Sequence, residues 1–400
     1  MPEAHSRPAW VEVDLDAVRH NTAALVEMAA PAAVCAVVKA DGYGHGAVPV
    51  AQAALEAGAS WLAVAVVEEG EALRKAGITA PILLLAEPPA EAMAEVLTQR
   101  LTPTLYTVEG VEAAAEEAVH GRSPTPVHLK VDTGMHRVGA SSEDLVEVAR
   151  AADEAPGLRV QGLWTHLAVA EEPAQDAFTV EQLRRFEDAR DRLADAGIHP
   201  DLLHAANSAG TIAHPAARYD MVRCGISVYG YCPGRALEAR PDLRPVMSLK
   251  ARVTLVKVLG TGERVSYGLR YAMAEPSDLV TVPLGYDDGV RRRLAAEGAD
   301  VLIGGRRCPM AGTVTMDQFM VDCGPSSGVA PGDEVVLIGR QGDHRITADD
   351  WAQLLDTISY EIVCGVGPRV PRVYVNGGRD ADERAVQPRL GEVSTPLRPS

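Results

Sequence analysis

The feature that most limits what this chain can fold into is a rhythm. Between Ala33 and Arg223, short apolar runs recur at intervals long enough to hold a helix. The runs are 33–38, Trp61–Val67, Pro81–Leu85, Leu101–Thr107, Val127–Val131, Leu158–Leu167, Leu202–Ala206 and Tyr219–Arg223. Mostly uncharged runs of this length suit strands covered on both faces. Helical spacing fills the gaps at His45–Ala57, Glu68–Lys75, Ala90–Gln99, Ser142–Ala152 and Gln175–Ala196. About eight strands alternating with helices predict a (β/α)8 barrel. An open doubly wound sheet is the alternative, but Gly42, Gly44 and Gly46 fall at i, i+2 and i+4, which is not the dinucleotide spacing.

From about Arg244 the texture changes. Val246–Val258, Asp278–Pro283, Asp300–Ile303, Met310–Val314, Phe319–Asp322 and Asp333–Ile338 are rich in valine and threonine and are separated by Gly, Pro and Asp turns. The reading is therefore a (β/α)8 barrel over 11–243 followed by a mostly β domain over 244–383, which an N-terminal strand within 1–10 joins. Trp10–Val13 alternates as a strand, and Asp14 is placed to cap a helix through Leu15, Val18, Thr22 and Leu25. Thr347–Ser359 reads as one amphipathic helix and Val370–Val375 as a last strand. Residues 384–400, charged and proline-containing, read as a disordered tail.

Composition excludes several functions. A formal charge of -17 and a pI near 5.1 argue against nucleic acid or an anionic membrane as a partner. No apolar stretch is long enough to span a bilayer and the N-terminus lacks a signal-peptide core, so a cytoplasmic location is expected. The cysteines (35, 224, 232, 308, 323, 364) form no metal-ligand spacing, so neither a metal site nor a disulfide framework is expected.

In a barrel, chemistry gathers at the C-terminal ends of the strands. Lys39 closes the first run and precedes a glycine-rich turn, Ala40-Asp41-Gly42-Tyr43-Gly44-His45-Gly46. A partly desolvated lysine there loses its proton more readily, which suits imine chemistry. The same mouth receives the 132–137 loop, His166, Asn207, Ser208 and Arg223. Loops after the seventh and eighth strands, with Ser208 and Gly225-Ile226-Ser227, offer a phosphate cradle. Singly, each has a plainer reading: a surface lysine or arginine, a core histidine, a helix cap. Together, an imine-forming lysine, an anion cradle and an arginine point to pyridoxal phosphate.

Val37-Val38-Lys39-Ala40-Asp41-Gly42-Tyr43-Gly44-His45-Gly46 resembles the cofactor-attachment motif of bacterial alanine racemases. The likeness spans nearly the whole chain. It includes the blocks 10–15, His128–Gly139, Thr165-His166, Ala206-Asn207-Ser208, Arg223–Ile226, Val265–Gly268, Met316-Asp317-Gln318 and Ser359-Tyr360-Glu361. The resemblance implies a homodimer in which each active site takes Tyr267 and Met316 from the partner subunit. It implies that Lys39 carries pyridoxal 5'-phosphate as an aldimine, and that Lys39 and Tyr267 are two bases acting on opposite faces of the alanine α-carbon. The product, D-alanine, would serve cell-wall peptidoglycan.

By the same resemblance, Tyr43, Asn207, Ser208, Gly225, Ile226 and Tyr360 surround the cofactor, and Arg223 faces the pyridine nitrogen. His166 bonds both Tyr267 and Arg223. Arg137 bonds the cofactor's phenolic oxygen and, with Met316, holds the substrate carboxylate, Tyr286 gates the entrance, and Lys130 matches a lysine that some members carry as a carbamate. Two departures stand out: Thr315 where some members have cysteine, and His136 where glycine is common. A serine or broad-specificity racemase, a barrel-type amino-acid decarboxylase and a non-catalytic cofactor-binding protein are the alternatives. Tyr267, and a second domain that supplies it, speak against the last two.

Overall fold

The computed structural model of the chain describes residues 7–119, 123–234, 236–237 and 241–377. The disordered tail expected at 384–400 and the N-terminal residues 1–6 lie outside the described residues.

The first strand, β1 (Ala9–Asp14), buries alternate side chains, including Val11 and Val13. Asp14 caps the helix Leu15–Ala29 by accepting from the amides of Asp16 and Ala17. Eight parallel strands follow: β2 (Ala33–Val37), β3 (Trp61–Val64), β4 (Ile82–Leu84), β5 (Thr104–Leu105), β6 (Thr125–Lys130), β7 (Leu158–Trp164), β8 (Leu202–His204) and β9 (Met221–Cys224). They pair as β4-β3-β2-β9 and β5-β6-β7-β8. A parallel bridge between Leu83 and Thr102 joins the two groups on one side. Backbone bonds from Asp220 to Leu203 and from Arg223 to Ala206 join them on the other. The expected barrel is therefore closed. A helix at Val108–Ala118, which the apolar rhythm leaves unassigned, completes one of its crossovers.

The second part carries β10 (Met247–Arg252), β11 (Leu255–Leu259), β12 (Arg264–Val265), β13 (Tyr271–Ala272), β14 (Ser277–Val282), β15 (Asp300–Ile303), β16 (Arg306–Ala311), β17 (Phe319–Asp322), β18 (Glu334–Gln341), β19 (His344–Ile346) and β20 (Arg372–Val375). Its main sheet runs β11-β14-β17-β16-β15-β18-β10-β1-β20. β1 lies inside it, antiparallel to β10 and parallel to β20, with Val11 opposite Leu249 on one side and Arg372 on the other. This moves the expected boundary. Residues 11–14, read as opening the barrel, are hydrogen-bonded into the β sheet, where their alternation buries one face of the strand.

Thr347–Ser359 is not one helix. Ala348–Leu355 stops where Asp356 adopts a left-handed conformation (φ 54°), and a second helix, Ser359–Cys364, starts in a new direction. That break matters, because the second helix brings Tyr360 to the barrel mouth.

Candidate active site

After β2 the backbone turns left-handed. Ala40, Asp41, Gly42 and Tyr43 all have φ between 50° and 60°, a succession that L-residues rarely adopt. Bonds from the surroundings hold it. The Ala40 amide donates to Glu69 (2.6 Å), Gly46 N to Asp41 O (2.8 Å), and Ala47 N to the Asp41 carboxylate (2.9 Å). Gly44 and Gly46 face their own chain across this turn. A Cβ on Gly44 would lie 2.6 Å from the Val363 carbonyl oxygen, and one on Gly46 would lie 2.0 Å from the Tyr374 hydroxyl. They let the turn dock against the second part of its own chain. Backbone strain of this kind clusters at functional positions, and here it re-aims the chain around Lys39.

Lys39 points into a cavity of about 600 Å³ at the barrel mouth. Its lining includes Lys39, Tyr43, Lys130, Arg137, Trp164, His166, Asn207, Ser208, Arg223, Gly225, Ile226, Tyr360 and Cys364. Every candidate that the sequence places around the cofactor is in this group. Tyr267, Tyr286 and Met316 are not. Their loops are in the β part, where they are 71%, 40% and 51% exposed. They adjoin one another through the backbone: Tyr286 N donates to Thr315 O (2.9 Å), Asp287 N to Met316 O (3.2 Å), and the Thr313 hydroxyl to Tyr267 O (2.8 Å).

The electrostatics of the cavity are one-sided. Four cationic side chains line it and no carboxylate does. Burial, and then Arg223, push the Lys130 amine down to about 7, while burial and Arg137 lower Lys39. His166 is held well below its usual range by burial and the Arg223 charge, so its ring is neutral. Among the described residues neither Lys39 nor Lys130 has an ion-pair partner. This donor set fits an anionic, phosphate-bearing aldehyde: a lysine for the carbonyl carbon, and cations with no anion of their own. Ser208 accepts from Gly225 N (2.9 Å), and a Cβ on Gly225 would fall 2.5 Å from the Tyr43 hydroxyl. The cradle is thus compact, held by its own side chains and backbone.

Arg223 is buried, and both its terminal nitrogens are held by the barrel. Nη1 donates to Nδ1 (2.9 Å) and the carbonyl (3.1 Å) of His204, and Nη2 donates to the carbonyls of Thr165 (2.7 Å) and Ala205 (3.0 Å). His166 Nδ1 lies 3.4 Å from Nη2, at the long limit of a bond. Trp164 forms the floor, with Arg223 and Lys130 over its ring at 4.5 and 4.2 Å. Accepting at Nδ1 leaves His204 with its proton on Nε2, which then donates to His128 Nδ1 (2.9 Å). Burial holds both rings neutral, His128 down to about 4. Sequence reasoning missed His204, Trp164 and Glu69 as supports, although His204 and Trp164 sit within the strand runs already marked. It also missed Gln182, on the helix Asp176–Asp195. Gln182 accepts from Ala168 N and donates to His166 O, pinning the loop after β7. His136 has φ 54°, the conformation a glycine would take freely, and Asp132 steadies it by accepting from its amide and ring.

Fold and site together define a (β/α)8 barrel whose mouth gathers a lysine, three further cationic side chains and a compact Ser208–Gly225 cradle around one cavity. The chain belongs to the alanine racemase family. Family models for the alanine racemase N-terminal domain and C-terminal domain match residues 13–233 and 246–374. The alanine racemase of Symbiobacterium thermophilum is 50% identical over 376 residues, covering 94% of this chain and 98% of that one. The crystal structure of the Bacillus anthracis alanine racemase with bound L-Ala-P superposes with a TM-score of 0.88 at 36% identity, covering 96% of this chain and 98% of the other. A histidine racemase from Leuconostoc mesenteroides also shares the fold, at 31% identity and a TM-score of 0.86, with 93% and 99% covered. No helix among the described residues is long and apolar enough to cross a membrane.

Proposed function

We propose that this cavity racemises alanine with one base from each of two subunits, pyridoxal phosphate being held on Lys39. That the chain is an isomerase interconverting L- and D-alanine rests on its family membership. The finer reading concerns which residues do the work. When bound, the cofactor supplies an electron-withdrawing conjugated system that acidifies the amino-acid α-proton.

The observation that carries the proposal is that Lys39 lines the cavity while Tyr267, the second base the sequence names, stands exposed outside that lining. Racemisation needs a proton acceptor on each face of the α-carbon. Within the cavity, Lys39 has its pKa lowered toward that role. The cavity's own phenols do not qualify: burial pushes Tyr43 and Tyr360 upward, so they stay protonated. Tyr267 is exposed and is not among the residues that line the Lys39 cavity of its own chain. In a two-fold dimer the exposed Tyr267, Tyr286 and Met316 loops of one copy complete the mouth of the other. His166, accepting at Nδ1 from Arg223, presents its Nε2–H as a donor toward that phenol. Arg223 stays a cation and would disfavour protonation of an aromatic nitrogen held beside it, which would weaken the electron withdrawal that side reactions need. Arg137 and Met316 orient the substrate carboxylate. A Lys130 amine pushed down to about 7 is partly neutral, the form that adds carbon dioxide to give a carbamate beside Arg137. A carbamate resonance from ¹³C-labelled bicarbonate, lost in Lys130→Ala, would be its signature.

The decisive experiment is complementation. Lys39→Ala and Tyr267→Phe homodimers should each be inactive. Hybrids from equal co-expression should regain roughly a quarter of wild-type activity, since half the dimers are hybrids with one intact site each. Inactive hybrids would sink the shared site. Circular dichroism with L-alanine, L-serine and L-histidine supplied separately reads the substrate, and decay with alanine alone is the expected result.

A further inference from the structure

Asp288 lies two residues beyond Tyr286 and is fully buried, yet five donors keep it charged. Arg7 meets it as a fork, Nη1 to Oδ1 at 2.7 Å and Nη2 to Oδ2 at 2.5 Å. Arg369 reaches Oδ1 through Nε (3.1 Å) and Nη2 (3.0 Å), and the Gly285 amide donates to Oδ2 (2.9 Å). Both arginines continue to Asp317, the neighbour of Met316: Arg7 Nη2 donates to its carbonyl (3.0 Å) and Arg369 Nη2 to its carboxylate (2.8 Å). The Gly285 backbone sits so close that a Cβ there would be 2.2 Å from the Met316 carbonyl oxygen.

These contacts converge on two loops, and those loops carry Tyr286 and Met316. Both side chains are half-exposed in the single chain, so their direction depends largely on the backbone that carries them. A buried carboxylate without partners is strongly unfavourable, whereas a forked arginine fixes both distance and plane. We propose that Asp288, with Arg7 and Arg369, is a positioning group. It locks the Tyr286 and Met316 loops into one rigid unit, presented ready-made to the active site of a second copy. This rests on the shared-site reading above. Arg7 comes from the segment before β1 and Arg369 from the segment before β20, so the clasp also ties the unit to adjacent strands of the main sheet.

Asp288→Asn removes the charge at nearly constant shape. As a homodimer it should lose about ten- to hundredfold in kcat/KM for alanine, chiefly through KM, with the cofactor absorbance unchanged. Arg369→Lys, which keeps the charge but not the fork, should fall between it and the wild type. The separating measurement pairs Asp288→Asn with Lys39→Ala. The only competent site in that hybrid joins the Asp288→Asn barrel to loops whose clasp is intact, so it should show the wild-type KM. A wild-type kcat/KM in the Asp288→Asn homodimer overturns the proposal, as does a hybrid that keeps the variant's KM. If Asp288→Asn fails to fold, the same two readings on Arg369→Lys decide. Failure of the shared site itself is seen separately, in an inactive Lys39→Ala and Tyr267→Phe pairing.

Discussion

At the scale of single residues, the cavity is a cluster of cationic side chains with no carboxylate in its lining. Lys130 shows the consequence for stability. Its pKa falls from 10.5 unfolded to about 7 folded, so between those values folding requires the amine to give up its proton. That penalty is fully present below pH 7 and shrinks as pH rises toward 10.5. Lys130→Met should therefore raise the melting temperature of the cofactor-free protein at pH 7, and by less at pH 9; an equal gain at both would contradict the linkage. Lys39, His166 and Arg223 were legible in the sequence because each ends a strand run, where a barrel exposes side chains to ligand. His204 was not, because its importance lies in orienting Arg223 across the barrel, a contact that no local pattern encodes.

At the scale of elements, the turn after β2 works by close approach. Gly44→Ala combines a positive φ (79°) with a Cβ pressed against the Val363 carbonyl, and should cost about 2 to 4 kcal/mol. Gly77→Ala has a similar φ (84°) but nothing within 4 Å, and should cost about 1 kcal/mol. Denaturant midpoints of the two variants give the difference due to packing alone. The strand-and-helix rhythm could be read because period and length are local. The stop at Asp356 could not, since an aspartate in an amphipathic run carries no mark of the left-handed conformation it adopts.

At the scale of the molecule, the proposed two-copy site predicts that separating the copies removes activity while leaving the cofactor on Lys39. Dilution below the dimer dissociation constant, followed by ultracentrifugation, should show specific activity falling with dimer fraction as the Lys39-linked absorbance persists. Full activity in a monomer would refute a site built from two copies.

The sequence by itself determined the barrel, the β-rich second part and the family, because apolar periodicity and ordered motif blocks are properties of neighbouring residues. It also named Lys39 and Tyr267. Only the tertiary structure decided that β1 belongs to the second sheet, that the glycines of the Lys39 turn serve packing, and that Tyr267, Tyr286 and Met316 stand clear of their own chain's cavity. Each of these is a relation between segments distant in sequence. Such relations are fixed by which surfaces bury together, and that is settled only when the whole chain has closed.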